Sequence, residues 1–206
     1  MNDAVRWSEN LILADGDYID RVAFDLIVNF ERMLERRVPP ADLARWIDCV
    51  ALDGGLREGI HQTQVVLLHD HRRAQLDNFI PSCYATDLSG HAFSDHLGEF
   101  LITPLAVDEQ LTTPSGLFLE TLQLACARKE VQRIMIVAPD ELFDQVAHRL
   151  SSAGSAVADK HITLFTMNPR PGGAFRQEIL GFSLMSALGI SSSEIEAKNP
   201  NNTYNT

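Results

Sequence analysis

Apolar residues along the chain fall into two alternating spacings: short unbroken runs, and stripes that recur every three or four positions. Leu11-Ile12-Leu13 lies at the centre of a run from Asn10 to Ala14, which predicts a buried strand. Behind it Ile19, Val22, Ala23, Leu26, Ile27, Phe30, Met33 and Leu34 keep helical spacing, with Asp20, Arg21, Asp25, Glu31, Arg32, Glu35 and Arg36 mainly on the other face. Asp17 suits the cap of this helix, and Pro39-Pro40 its stop. A shorter helix is expected from Pro40 to about Leu52, striped by Leu43, Ile47 and Val50 and ended by Gly54-Gly55. A strand over Trp46 to Leu52 is the alternative. Further strands are predicted at Gln64 to Leu68, Glu99 to Val107, Arg133 to Val137 and His161 to Met167. Helices are predicted from Thr113-Pro114 to about Lys129 and from Pro139 to Ser152, with Gly154 as a C-cap. Residues 72–97 read as irregular, with room for one helical turn. At Asn168 the composition changes: Pro169 to Gly173 reads as a turn or linker, and a helix apolar nearly all round follows from about Phe175 to Leu188. Past Ser191 the chain is polar, and Asn199 to Thr206 is expected to fray.

Strands alternating with helices predict a mainly parallel sheet, because parallel neighbours need right-handed helical crossovers. The expected architecture is therefore α/β, a three-layer Rossmann-like sheet of about five strands with helices on both faces, plus a C-terminal apolar helix. It divides into an α/β domain over 1–167, a linker and helix over 168–190 that packs on the domain or a partner, and a polar tail over 191–206.

Composition works mainly by exclusion. The 206 residues carry 17 basic and 28 acidic side chains, a net charge of −11, and 45% are hydrophobic. An acidic chain does not grip nucleic acid by charge alone. No run reaches the ~18 apolar residues of a membrane helix. Met1 to Glu9 is polar and mixed in charge, unlike a secretory signal. Cys49, Cys83 and Cys126 are odd in number and scattered, which fits neither a disulfide framework nor a zinc knuckle and implies a reducing cytoplasm. Cys49 and Cys126 fall on apolar helix faces as core thiols. Gly-rich phosphate loops and a Gly-x-Ser-x-Gly elbow are both missing.

The candidate chemistry lies at strand ends, where open α/β sheets bind ligands. There the sequence supplies Asp15-Gly16-Asp17, His69-Asp70-His71, Asp108-Glu109 and Asp140-Glu141. Acids gathered this way repel unless a pKa rises or a cation binds. Mg²⁺ or Mn²⁺ suits an oxygen-ligand site, and would polarise a phosphoryl oxygen and activate water. Asp15, Asp17 and Asp140 are the expected catalytic residues; Asp15, Asp140, Asp70 and Asp108 are the expected metal ligands. The same residues have structural uses, since Asp17 and Asp140 each precede or open a helix and aspartate favours turns. His69 and His71, two apart, suit either a shared metal or a solvated loop. Fourteen of the seventeen basic residues are arginines, which either clamp phosphates or stay solvated.

Leu13-Ala14-Asp15-Gly16-Asp17 and the later Val137-Ala138-Pro139-Asp140-Glu141-Leu142-Phe143 resemble motifs of the PIN-like NYN domains, Rossmann-like metal-dependent ribonucleases. That resemblance implies Asp15 and Asp140 as metal-binding carboxylates. Leu142 stands where the family has a second aspartate, and Ala138-Pro139 replace Ser-Gly, which implies a degenerate member. A second resemblance is to haloacid-dehalogenase-like phosphatases, and implies Asp15 as nucleophile, Asp17 as general acid, and Asp140 with Asp144 as a metal pair. His69 there replaces Ser or Thr. The whole chain, notably Ala14 to Gly55 and Pro171 to Gly189, also looks like an uncharacterised bacterial family of unknown function. Two functions are thus expected. One is a cytosolic, non-catalytic or degenerate protein that forms a homodimer by exchanging its C-terminal helix. The other is a divalent-metal-dependent ribonuclease or phosphoesterase acting on RNA or another phosphoester.

Overall fold

The computed structural model describes residues 7–171 and 175–199. In chain order its strands are β1 (Asn10–Asp15), β2 (Ala41–Asp42), β3 (Gln62–Asp70), β4 (Phe79–Ile80), β5 (Ala92–Asp95), β6 (Gly98–Val107), β7 (Arg133–Val137), β8 (His161–Thr166) and β9 (Arg176–Ile179). The helices are α1 (Gly16–Leu34), α2 (Leu43–Asp53), α3 (Pro114–Ala127), α4 (Phe143–Ala153), α5 (Leu180–Ala187) and α6 (Ser192–Lys198). Seven strands form one sheet in the order β5-β6-β3-β1-β7-β8-β9, and only β5 runs antiparallel to its neighbour.

Side-chain alternation along each strand builds two cores. Ile12, Ala14, Val65, Leu67, Met135 and Val137 face α1, α2 and α5. Leu11, Leu13, Val66, Leu68, Ile134 and Ile136 face α3 and α4 on the opposite side. The strands in the middle are buried on both faces, which is why their sequences read as unbroken apolar runs.

Several boundaries differ from the sequence expectation. The α1 cap is Asp15, not Asp17: its side chain accepts the Tyr18 N–H at 3.0 Å. Pro39-Pro40 stay outside α2, because Ala41-Asp42 pair with Phe79–Ile80 and Asp42 then caps the helix. Pro139 leads into a tight turn over Asp140–Leu142, and α4 begins only at Phe143. The helix expected over 175–188 divides. Its polar start, Arg-Gln-Glu-Ile, pairs with β8 as an edge strand, and only the apolar remainder forms α5. Leu180 and Leu184 are buried in the chain's own core. The polar segment beyond Ser191 begins with α6, which the Arg36–Glu194 and Lys198–Glu35 ion pairs hold near the end of α1. Gly172-Gly173 and residues 200–206 lie outside the described residues. Cys126 is buried, whereas Cys49 and Cys83 are half-buried; all three are free thiols. Among the described residues no helix is long and apolar enough to cross a membrane.

Candidate functional site

A cleft of about 310 Å³ opens at the carboxyl ends of β1 and β3, between the starts of α1 and α3. Asp15, Asp17, His69 and Asp70 line it, with Glu141 from the segment after β7. Asp108 and Asp140 stand beside it in sequence, next to the lining residues Val107 and Pro139, but are not part of its wall.

Each carboxylate has a distinct surrounding. Burial raises the pKa of Asp15, and the Asp17 charge adds to this, while the Tyr18 N–H at 3.0 Å acts the other way. Asp17 Oδ2 accepts the Asp70 N–H at 2.7 Å, which ties the start of α1 to the end of β3. Among the described residues its Oδ1 is buried with no hydrogen-bond donor, and Arg73 Nε lies 3.6 Å away. Arg72 grips Asp70 through Nε at 3.0 Å, Nη2 at 2.6 Å and its backbone N–H at 2.9 Å. These charged and backbone donors hold Asp70 far below the usual carboxylate range. Arg72 also meets Glu109 at 3.1 Å. Asp108 accepts the Gln110 N–H at 2.9 Å within a turn. Asp140 Oδ2 accepts the Asn168 amide at 2.9 Å, and its Oδ1 is buried without a donor. Burial, with the Asp140 and Glu141 charges next in size, pushes the Tyr18 phenol up.

The two histidines separate. His69 is 8% exposed, stacks on Tyr84 with ring centroids 3.6 Å apart, and places Nδ1 2.9 Å from the Asp70 carbonyl. A carbonyl only accepts, so Nδ1 donates, which in a neutral ring would leave the lone pair on Nε2. His71 turns its Nδ1 to the Val107 carbonyl at 3.1 Å. Among the described residues no three His, Cys, Asp or Glu side chains converge as a metal-holding group.

A family model matches residues 4–195. The chain belongs to a family of unknown function, DUF6621. The match takes in both Ala14–Gly55 and Pro171–Gly189, the segments in which the sequence looks like an uncharacterised family. No curated protein matches the DUF6621 chain, and no solved structure does.

Two features of this DUF6621 site are not apparent from its sequence pattern. Asp20, grouped there with the polar face of α1, is 2% exposed and takes Arg73 Nη2 at 2.9 Å and the Asp77 and Asn78 N–H groups at 3.1 and 2.8 Å. It anchors the loop that follows β3. Asn168, read as the start of a linker, holds Asp140 from the end of β8. Neither pairing leaves a local signal, because the partners lie far apart in sequence.

Proposed function

We propose that this DUF6621 chain is a degenerate PIN-like protein, cytoplasmic and non-catalytic, acting by binding and self-association on a Rossmann-like scaffold. Numbered in chain order, its six parallel strands run 3-2-1-4-5-6 across the sheet, the order of doubly wound nucleotide-binding folds. In that order the crevice lies at the reversal between β1 and β7, where Asp15 and Asp140 follow their strands. The observation that carries the non-catalytic reading is the grip of Arg72 on Asp70, with both carboxylate oxygens and the backbone engaged. Asp15 and Asp108 are likewise used as a helix cap and a turn anchor. Self-association is supported by Phe182 on α5, which is 64% exposed, and by the neighbouring Ile179.

A second reading, a divalent-metal-dependent ribonuclease or phosphoesterase, is favoured by the two buried oxygens without donors, Asp17 Oδ1 and Asp140 Oδ1. Asp15, Asp17 and Asp140, which do not converge as a metal-holding group in this structure, would have to close on Mg²⁺ or Mn²⁺, which would supply Lewis-acid polarisation and an activated water. Asp70 would join them only after Arg72 released it. A neutral His69, with its lone pair on Nε2, would accept a proton at the cleft wall.

The deciding experiment incubates the full chain with single-stranded RNA and a generic phosphoester in Mn²⁺ or Mg²⁺, wild type against Asp15→Asn. Equal rates at the protein-free background support the first reading. Hydrolysis by the wild type that Asp15→Asn abolishes replaces it with the second.

A further inference from the structure

At the opposite edge of the sheet, where the strands begin, lies a second cleft of about 520 Å³. Arg133, His161 and Arg176 open β7, β8 and β9, and Lys160 immediately precedes β8. Parallel register pairs Arg133 with His161 and Arg176 with Thr163, so adjacent strands deliver these side chains to one cleft. All four line it, together with an apolar wall that includes Ile162 and Phe175.

These cations have few anionic partners. Arg133 spends Nη1 on the Gly54 carbonyl at 2.7 Å, while its Nε is buried with no acceptor among the described residues. Burial, then the neighbouring Arg57 and Arg176 charges, presses the Arg133 pKa below its ordinary value, and Glu9 offsets this only in part. Lys160 donates to the Arg128 and Val131 carbonyls, and Arg57 to those of Leu52 and Leu56. Such contacts satisfy donors at the ends of α2 and α3 but bring no full negative charge. Among the described residues only Arg176 of these cations has a direct carboxylate partner, Glu178, at 2.9 Å from its Nε, and Asp53 lies close enough to feel both charges. In a chain of net charge −11, a basic cluster that mostly faces carbonyls, with Arg176 paired to Glu178, is a place prepared for an anion.

We infer that this strand-start cleft binds the phosphate of a nucleotide-sized ligand, with Arg133 and Arg176 donating to phosphate oxygens and the Ile162–Phe175 wall covering its apolar part. Guanidinium donors suit phosphate in charge and fork geometry. The volume falls within the range of small-ligand pockets, about 300–1,000 Å³. The inference is independent of the acidic edge and of its chemistry.

Calorimetric titration of the full chain at constant ionic strength tests it, with adenosine monophosphate, inorganic phosphate, adenosine and a short single-stranded RNA as probes. Adenosine monophosphate saturates, and adenosine binds at least about tenfold more weakly, as expected for losing charge-assisted hydrogen bonds. Arg133→Gln and Arg176→Gln each weaken the monophosphate by about tenfold, whereas Arg36→Gln, outside the cleft lining, leaves it unchanged. Arg176 lies on an exposed edge strand, so its variant keeps the test decisive where Arg133→Gln fails to fold. Absent saturation, equal affinity for adenosine, or indifference to both substitutions overturns the inference. Binding of RNA without binding of the monophosphate or phosphate also overturns it, and assigns the cleft to a nucleic-acid surface.

Discussion

The Asp20 carboxylate meets Arg73 Nη2 at 2.9 Å across a sequence separation of 53 residues. A charge this buried is stable only when paired and hydrogen-bonded, and the Asp77 and Asn78 N–H groups complete its shell. Arg73 would keep Asp77 at 3.2 Å, but the Asp77 and Asn78 N–H groups would lose their buried acceptor, so Asp20→Ala is expected to destabilise the fold by about 2–4 kcal/mol. Urea unfolding gives the magnitude. Hydrogen exchange should quicken first at the Asp77 and Asn78 amides. A loss below about 1 kcal/mol would mean that the loop after β3 does not depend on this anchor.

Asp48 on α2 faces Asp95 on β5, and its pKa is pushed up to about 7, by burial first and then by the hydrogen bond to Asp95 and the charges of Asp95 and Asp42. An unfolded aspartate titrates near 3.9. The folded state therefore binds the proton more tightly, and stability falls as pH rises from about 4 to about 7, then levels off. Asp48→Asn keeps a donor toward Asp95 and removes the ionisation. With the partial solvent exposure discounted, it should stabilise the protein by about 1–2 kcal/mol at pH 8. Near pH 4 the gain should vanish. Urea midpoints at both pH values give the answer, and a gain that does not grow with pH rules out the shared proton.

The strands buried on both faces were legible because apolar runs such as Leu11-Ile12-Leu13 and Ile134-Met135-Ile136 have no polar face to show. The edge strands were not. Ala92–Asp95 and Arg176–Ile179 are four residues long and partly exposed, so neither carries a run or an alternation. Arg176-Gln177-Glu178 became strand through pairing with β8, a partner that local periodicity does not encode. The acidic edge was legible as residues that follow strands, but its bonding was not. Whether Asp70 is open or gripped depends on the rotamer of Arg72, and whether Asp140 is free depends on Asn168, 28 positions later. The basic cleft was illegible for the same reason: Arg133, His161 and Arg176 are ordinary first residues of strands until the register joins them.

Gly16 leaves no room for a side chain beside the acidic cleft. A Cβ there would lie 2.8 Å from Tyr84 Oη and 3.0 Å from the Leu68 carbonyl oxygen. Tyr84 is 3% exposed and pinned against His69, so it has little room to yield. Gly16→Ala is expected to destabilise the protein by about 1–3 kcal/mol. The Tyr84 hydroxyl is buried without a hydrogen-bond partner, so Tyr84→Phe should be neutral or stabilising by up to about 1 kcal/mol. Combined, the two substitutions should recover part of the Gly16→Ala loss. A strictly additive double-mutant cycle would sink the proposed clash.

On α5, Leu184 and Phe182 separate folding from assembly. Leu184 is fully buried, and truncation to alanine should lower stability by about 2–5 kcal/mol through the lost contacts and the cavity left behind. Phe182 points outward, so Phe182→Ser should change the unfolding free energy by no more than about 0.5 kcal/mol. Its effect belongs to association. The wild type should scatter light as a dimer, and Phe182→Ser as a monomer with an unchanged urea midpoint. Unlike helix exchange, this contact leaves Leu180 and Leu184 in their own core, so Leu184→Ala should unfold more readily without becoming monomeric at low denaturant. Equal masses for wild type and Phe182→Ser at every concentration would remove the α5 face from any self-association.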